Sequence, residues 1–483
     1  MRVLLTGANG YIGLRLLPSL LELGHQVVVM VRDLERFPCE DFVRWEEQVE
    51  YLTGDMLCPE SLPELGQIEA AYYFLHSMGA GTGFEEREAA CARNFVSWVE
   101  GSGCQQVIYL GGLSGLSGEG DEPLSKHMSS RQYVAEVLQG GSYSLTVLRA
   151  SIIVGSGSAS FEIIRDLVEK LPVMVTPRWT ATRCQPIAIR NVIGYLTGVL
   201  GHTDCFGRSF DIGGPEVLTY RDMLIQYAKV RGLTRMAWPV PLLTPRLSSY
   251  WLYFMTATTY SLAKSLVESL HIESVAGESR IREIVTQELL GYEEAIDKAL
   301  ARIAQNRVAS VWYDALSSGQ FNDKNLGAVR VPEHGVYIDS QEVQITGERE
   351  DVINEVWSIG GDRGWPTMNW AWRCRGGIDK LIGGIGMRRG RRHPTELRVG
   401  DALDFWRVIL ADRDGGRLIL YAEMKLPGEA WLEFDLSEER MTQKASFRPK
   451  GLLGRMYWWA VYPIHLVLFP RMARRLVTSH STK

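Results

Sequence analysis

The sequence predicts an α/β protein: a doubly wound parallel sheet in its first half, then an α+β domain on antiparallel strands. Three observations carry that prediction. The apolar run Val3-Leu4-Leu5 leads directly into Thr6-Gly7-Ala8-Asn9-Gly10-Tyr11-Ile12-Gly13. Strand-length apolar runs then alternate with helical patterns to about residue 230, the order that a parallel sheet requires. From about residue 308, short alternating runs separated by Gly and Pro turns replace that rhythm.

The first strand ends at Thr6, the chain turns where glycine fits best, and residues 11–23 open as a helix with Leu14, Leu16, Leu17, Leu20 and Leu21 along one side. Gly24 ends that helix and Gln26–Val31 reads as a second buried strand. The free N–H groups and dipole of the helix face the turn, so an anionic pyrophosphate is its natural occupant. Gly7, Asn9, Gly10, Tyr11, Ile12 and Gly13 are the expected cradle. The glycine spacing is G-x-x-G-x-x-G, so the G-x-G-x-x-G fingerprint applies only in its mechanism. The alternative is a tight strand-to-helix turn without a ligand. Arg32 follows the second strand, where a guanidinium pairs with a 2′-phosphate and favours NADP; Asp33, one position on, keeps NAD compatible. The alternative for Arg32 is a cap on a solvent-facing loop.

Later strands are expected at residues 50–54, 70–75, 106–110, 145–149 and 209–212, with helices at 84–100, 125–138, 161–171, 191–200 and 220–230. Ligands on such sheets sit at the carboxyl ends of strands, near the switch in strand order. Gly54-Asp55-Met56 and His76-Ser77-Met78 fall at those ends. Asp55 accepts from an adenine amino group or caps a turn, with Met56 beside it, and the turn carrying His76 and Ser77 lines the pyrophosphate or the nicotinamide ribose.

With 483 residues, 46% hydrophobic and 23% charged, the chain has ample core and no tail of disordered composition. A net charge of −5 gives no reason to expect nucleic acid. The seven cysteines include no C-x-x-C pair, so neither a zinc site nor a disulfide framework is indicated. With a strand beginning at residue 2, the expectation is a cytoplasmic protein without a secretory signal.

T-G-A-N-G-Y-I-G, V-R-D, G-D-M-L-C-P-E-S-L at 54–62 and D-I-G-G-P at 211–215 together resemble the atypical, extended side of the short-chain dehydrogenase/reductase superfamily, over residues 1–235. H-S-M at 76–78, L-P-V-M-V-T-P-R-W at 171–179 and L-T-P-R-L-S-S-Y-W at 243–251 resemble a subgroup in which this domain is joined to a DUF2867 domain. The resemblance implies an NAD(P)-binding Rossmann fold. Where it implies a catalytic Tyr-x-x-x-Lys, the chain has His127-Met128-Ser129-Ser130-Arg131. Histidine relays a proton at neutral pH and Arg131 holds ribose hydroxyls, although arginine does not titrate as lysine does. The serine implied at the end of the fifth strand is replaced by Gly111-Gly112, with Ser114 the next candidate. The alternative for His127 is a polar helix residue; Tyr133 lies nearby but off the motif register.

Residues 236–307 read as an apolar helical cap, its aromatics Trp251, Tyr253, Phe254 and Tyr260 lining a pocket for a lipophilic substrate or filling a core. Residues 308–483 form the second domain. A helix at 349–358 precedes G-G-D-R-G-W, and alternating runs at 417–425 and 431–436 give an antiparallel meander. With V-G-D-A-L-D-F-W-R-V and A-E-M-K-L-P-G-E-A-W-L-E-F, this half resembles the helix-grip, lipid-transfer type of fold. Trp370, Trp372, Trp406 and Trp431 fill its core or line a cavity. Residues 456–470 hold no Asp, Glu, Lys or Arg and have basic flanks, which suits a peripheral membrane contact at the inner face or a final helix closing the sheet.

Two readings of function follow. One is an NAD(P)H-dependent oxidoreductase acting on an apolar carbonyl or quinone-like substrate. The other is an NADP(H)-binding sensor or assembly factor without turnover. An isomerase using tightly held cofactor is a lesser third.

Overall fold

In a computed structural model the chain divides into two compact units, Met1–Trp312 and Tyr313–Lys483. The structure describes residues 1–34, 37–76, 83–113, 126–240, 244–256, 260–277, 280–304, 336–387 and 391–478.

The first unit opens with β1 (Arg2–Thr6), α1 (Gly13–Glu22), β2 (Gln26–Val31), β3 (Val49–Thr53) and β4 (Ala70–Tyr73). It continues through α2 (Phe84–Val99), β5 (Gln106–Gly112), α3 (Lys126–Leu138) and β6 (Ser144–Ala150). Short strands follow: β7 (Ile153–Val154), β8 (Val173–Thr176), β9 (Arg183–Cys184) and β10 (Ile187–Ala188), with α4 (Ala159–Lys170) and α5 (Ile189–Gly198) among them. β11 (Ser209–Ile212) then joins the main sheet beyond β6, giving the order β11-β6-β5-β4-β1-β2-β3 with every pair parallel. The order reverses between β1 and β4, which makes their carboxyl ends the switch point.

Both faces of this sheet are buried, as parallel strands require. Val3 and Leu5 of β1 and Val27, Val29 and Val31 of β2 meet Leu16, Leu17 and Leu20 of α1 and Val192 and Leu196 of α5 on one side. Leu4, Val28 and Met30 meet Phe95 and Val99 of α2 and Val134 and Leu138 of α3 on the other. The alternation of side chains along each strand thus sorts a continuous apolar run into two cores.

A third core belongs to the lobe completed by β12 (Leu218–Thr219), α6 (Tyr220–Val230), β13 (Met236–Pro239), α7 (Pro245–Met255), α8 (Tyr260–Ser269), α9 (Arg280–Ile284) and α10 (Tyr292–Ala304). Thr219 and Asp222 close a reciprocal capping box at the start of α6. Leu252 and Tyr253 of α7 are buried with Phe161, Tyr227 and Ile296, so these residues of the apolar stretch fill a core.

The second unit comprises β14 (Tyr337–Gln344), α11 (Arg349–Trp357), α12 (Asn369–Leu381), β15 (Ala402–Leu403), β16 (Trp406–Asp412), β17 (Arg417–Ala422), β18 (Gly428–Leu436), β19 (Arg440–Pro449) and α13 (Gly451–Thr478). Its strands form one antiparallel sheet in the order β14-β19-β18-β17-β16-β15. The expected turn at Asp414-Gly415-Gly416 is present, with Gly416 at φ 73° and the Gly415 amide donating to Asp412 Oδ1 at 2.8 Å. The segment 456–470 lies within the 28-residue α13, which packs on β19 and β14. Trp458 stacks on Tyr337 and Phe447, with ring centroids 5.4 and 5.9 Å away. Trp372, Trp406 and Trp431 are buried, whereas Trp370 is 68% exposed. Among the described residues no helix is long and apolar enough to cross a membrane.

The motifs of this half make a buried polar frame. Arg407, fully buried, donates to both carboxylate oxygens of buried Glu423 at 3.1 and 3.2 Å and to the Gly400 carbonyl at 2.7 Å. Asp404, at φ 54°, accepts from Trp365 Nε1 at 2.8 Å and from the Gly361 amide at 3.3 Å. Burial pushes the Asp404 carboxyl up to about 6 despite those bonds and the nearby Arg391.

Candidate cofactor and catalytic site

The turn between β1 and α1 is shaped by contacts that exclude side chains. Gly7 sits at φ 67°, and a Cβ there would lie 2.5 Å from the carbonyl oxygen of Phe74, just beyond β4. A Cβ on Gly13 would lie 2.4 Å from the Gly7 carbonyl oxygen and 2.7 Å from Ala8 Cα, so α1 starts tight against the turn. A Cβ on Gly10 meets only the Gly7 carbonyl oxygen, at 3.1 Å. Gly7 and Gly13 are therefore glycines for the fold, while at Gly10 a side chain would meet the protein at that one tight point.

No side chain caps the first turn of α1 and no acidic residue lies in it. The Leu14 and Arg15 amides are taken up by the Gly10 and Ile12 carbonyls, both at 3.1 Å, so what this helix start offers an anion is its positive dipole end. Ile12 is the N-cap residue and Asn9 is exposed at the tip of the turn. Tyr11 points elsewhere: Arg15 stacks over its ring at 3.9 Å, and its hydroxyl lies against Gly155.

Arg32 is exposed just past β2, beside half-buried Asp33, at the same sheet edge as the turn. Asp55 Oδ1 accepts the Leu57 amide at 2.9 Å, and the Asp55 amide donates to Ser61 Oγ at 2.8 Å, so this carboxylate holds a turn. Met56 is buried in the core on the α2 and α3 side of the sheet.

On the β4 side of the crevice lies a compact polar cluster. His76 follows β4, and its Nδ1 is 2.7 Å from Glu88 Oε1 of α2. Its Nε2 is 2.9 Å from Arg131 Nη2 of α3. Ser130 Oγ donates to the second oxygen of Glu88, and Glu88 itself is buried. Since a guanidinium only donates, His76 Nε2 is the acceptor and Nδ1–H the donor to Glu88, which fixes one neutral tautomer. Burial is the main cause that lowers the His76 pKa and the Arg131 charge the second, with Glu88 opposing both.

Arg131, read from the sequence as a ribose partner, is thus tied to His76. Gly112 explains part of that arrangement: a Cβ there would lie 3.1 Å from the Met128 side chain and 3.5 Å from Arg131 Nη1, so the space used elsewhere by a serine is taken. Tyr109 is buried beside this cluster, its hydroxyl donating to the Arg131 carbonyl at 3.4 Å, and burial pushes it up to about 12. His127 lies on α3, but its side chain, Ser77 and Ser114 are outside the described residues.

Glu88 and Ser130 were not singled out in the sequence. The available signal was a carboxylate on an apolar stripe, since Glu88, Ala92, Phe95 and Val99 recur at helical spacing on the buried side of α2. The D-I-G-G-P run proves to be a junction. Asp211 pairs with Arg149 at 2.7 Å and accepts the Gly277 amide, while Gln185 bonds both Gly214 and Ala276.

Strand order, a glycine-lined turn at the switch point and a helix start without a side-chain cap define a doubly wound, Rossmann-like α/β domain. Residues 7–153 match the model of a family described as NAD(P)H-binding, and residues 332–472 match that of a family described as a protein of unknown function, DUF2867. The chain therefore joins an NAD(P)-binding segment to a DUF2867 segment, as its motifs imply. No curated protein matches it.

Among solved structures, the chain is similar to a nucleoside-diphosphate-sugar epimerase from Staphylococcus aureus, with 14% identity, TM-score 0.48, and coverage of 61% of this chain and 99% of that one. It is similar to UDP-glucuronic acid 4-epimerase from Bacillus cereus in complex with NAD, with 14% identity, TM-score 0.48, and 64% and 100% covered. A third is the triphenylmethane reductase of Citrobacter sp. complexed with NADP(H), with 15% identity, TM-score 0.49, and 62% and 100% covered.

Proposed function

We propose that the first unit is an NADP(H)-dependent reductase acting on a carbonyl or quinone-like group of a small apolar substrate. The observation that carries this reading is the His76–Glu88–Ser130–Arg131 cluster, whose His76 follows β4 at the same end of the sheet where the glycine turn follows β1.

The glycine turn and the start of α1 would hold the pyrophosphate, and Arg32 the 2′-phosphate. The bound nicotinamide supplies hydride. The chain's own part is charge and proton. Arg131 places a fixed positive charge where negative charge develops on the substrate oxygen. His76 exchanges the proton at Nε2 once the Arg131 guanidinium turns from that nitrogen to the substrate oxygen, and Glu88 holds the ring in place through Nδ1. This arrangement replaces a tyrosine activated by lysine with an imidazole oriented by a carboxylate. The α8 helix of the apolar lobe meets α3, the helix that carries Ser130 and Arg131.

The glycines at Gly111 and Gly112 favour a second reading, in which the unit binds NADP(H) without turnover and serves as a sensor. Steady NADPH consumption with a panel of hydrophobic aldehydes, ketones and quinones, abolished by His76→Ala, supports the reductase. Stoichiometric NADPH binding with no turnover on any member of the panel supports the sensor.

A further inference from the structure

The helix α13 is apolar on two sides and packed on one. Residues 451–478 hold no Asp or Glu. Trp458, Leu468, Phe469, Met472 and Leu476 are buried against the sheet. On the opposite side Leu452 is 74% and Trp459 is 62% exposed, and Leu453, Met456, Ile464 and Val467 are exposed with them. A helix hydrophobic all round is ordinarily covered all round.

The adjoining α12 extends this surface. It touches α13 at two points, with Trp372 against Phe469 and Arg375 over Tyr457. Its C-terminal end and the start of α13 both meet the Lys425 to Gly428 turn: Lys425 Nζ donates to the Ile382 carbonyl, and the Pro427 carbonyl accepts the Lys450 amide. Trp370, Ile378, Leu381 and Ile382 of α12 are exposed. Among its exposed residues, as among those of α13, there is no carboxylate; the charges are Arg373 on α12 and Arg455, Arg471, Arg474 and Arg475 on α13.

We propose that the outward faces of α12 and α13 dock the second unit on an anionic lipid bilayer, lying in its headgroup layer without crossing it. Two features select lipid as the occupant. The charge is of one sign, complementary to an anionic leaflet. Exposed tryptophans lie among aliphatic residues with arginines at both ends, the composition of a helix in the membrane interface. Residues 452 to 467 extend about 22 Å along the helix at the usual rise, too short to span, and the inner face of α13 is committed to the sheet.

The test is sedimentation of the full-length protein with phosphatidylcholine vesicles, with and without phosphatidylglycerol. The expected result is binding to the anionic vesicles, with quenching of tryptophan fluorescence by brominated acyl chains. Leu453→Glu with Trp459→Glu abolishes it while thermal unfolding is unchanged, because both side chains point outward. Arg471→Ala with Arg474→Ala weakens it about thirtyfold, on the usual contribution of two basic residues near an anionic surface. Failure of the wild-type chain to bind either vesicle overturns the proposal, and so does equal binding to neutral vesicles. A dimer in sedimentation velocity that Leu453→Glu dissociates, without vesicle binding, overturns it in favour of a second copy of the chain.

Discussion

In the proposed function Arg32 carries the coenzyme choice, and its effect is separable from binding as such. A charge-assisted bond from a guanidinium to phosphate is worth about 1.5–3 kcal/mol. Arg32→Ala is expected to weaken NADPH about tenfold or more and to leave NADH within about threefold, read by titration calorimetry. Asp404 makes a pH-dependent contribution. Its folded pKa of about 6 lies above the ordinary aspartate value of 3.8, so the folded state binds the proton more tightly. Stability from this group is fully present below the unfolded pKa and is lost as pH rises from about 4 to 6, by about 3 kcal/mol. Asp404→Asn, which tolerates the left-handed backbone, is expected to remove that fall and to be the more stable protein at pH 7 in denaturant titrations. Glu423→Ala leaves the Arg407 guanidinium buried without its partner and is expected to cost about 3–5 kcal/mol, while the double variant Arg407→Met, Glu423→Leu recovers most of it. Legibility differs among such residues. His76 was placed at the strand end by its position after an apolar run, but its partners come from α2 and α3, more than ten and fifty residues on, and no local spacing encodes that meeting.

At the scale of elements, the glycine turn makes a sharper claim than a motif match. Gly13→Ala forces a methyl group into the backbone of Gly7 and Ala8 and is expected to destabilise the first unit by about 3 kcal/mol. A side chain at Gly10 meets the protein at one tight point, the Gly7 carbonyl oxygen at 3.1 Å, so Gly10→Val is expected to cost less stability than Gly13→Ala while NADPH binding is lost. Loss of both properties in both variants would mean that the turn is structural only. The strands of the parallel sheet were readable as apolar runs because both faces are buried, and the meander from β17 to β18 because one face is. The short pairs β7–β10, β8–β13 and β9–β12 were not, since strands of two to four residues carry no period. On α13, the side packed on β19 and β14 meets the expectation of a helix closing the sheet, and the opposite side is the one proposed to meet a membrane.

At the scale of the whole molecule, a cofactor domain and a DUF2867 unit share one chain. The parallel sheet was legible because β-α-β alternation admits few topologies, and the order reversal at β1 and β4 fixes where a ligand sits. The proposed catalytic part was less legible because this chain departs from the tyrosine and lysine of the superfamily it resembles, and the cluster proposed in their place is assembled in three dimensions. Everything proposed for the first unit requires that the turn from Gly7 to Gly13 take up a nicotinamide dinucleotide. Titration calorimetry of the full-length protein with NADPH and with NADH tests this directly. Saturable binding of one NADPH per chain, tighter than NADH and abolished by Gly10→Val, is the predicted result; a correctly folded protein that takes up neither coenzyme would contradict the account.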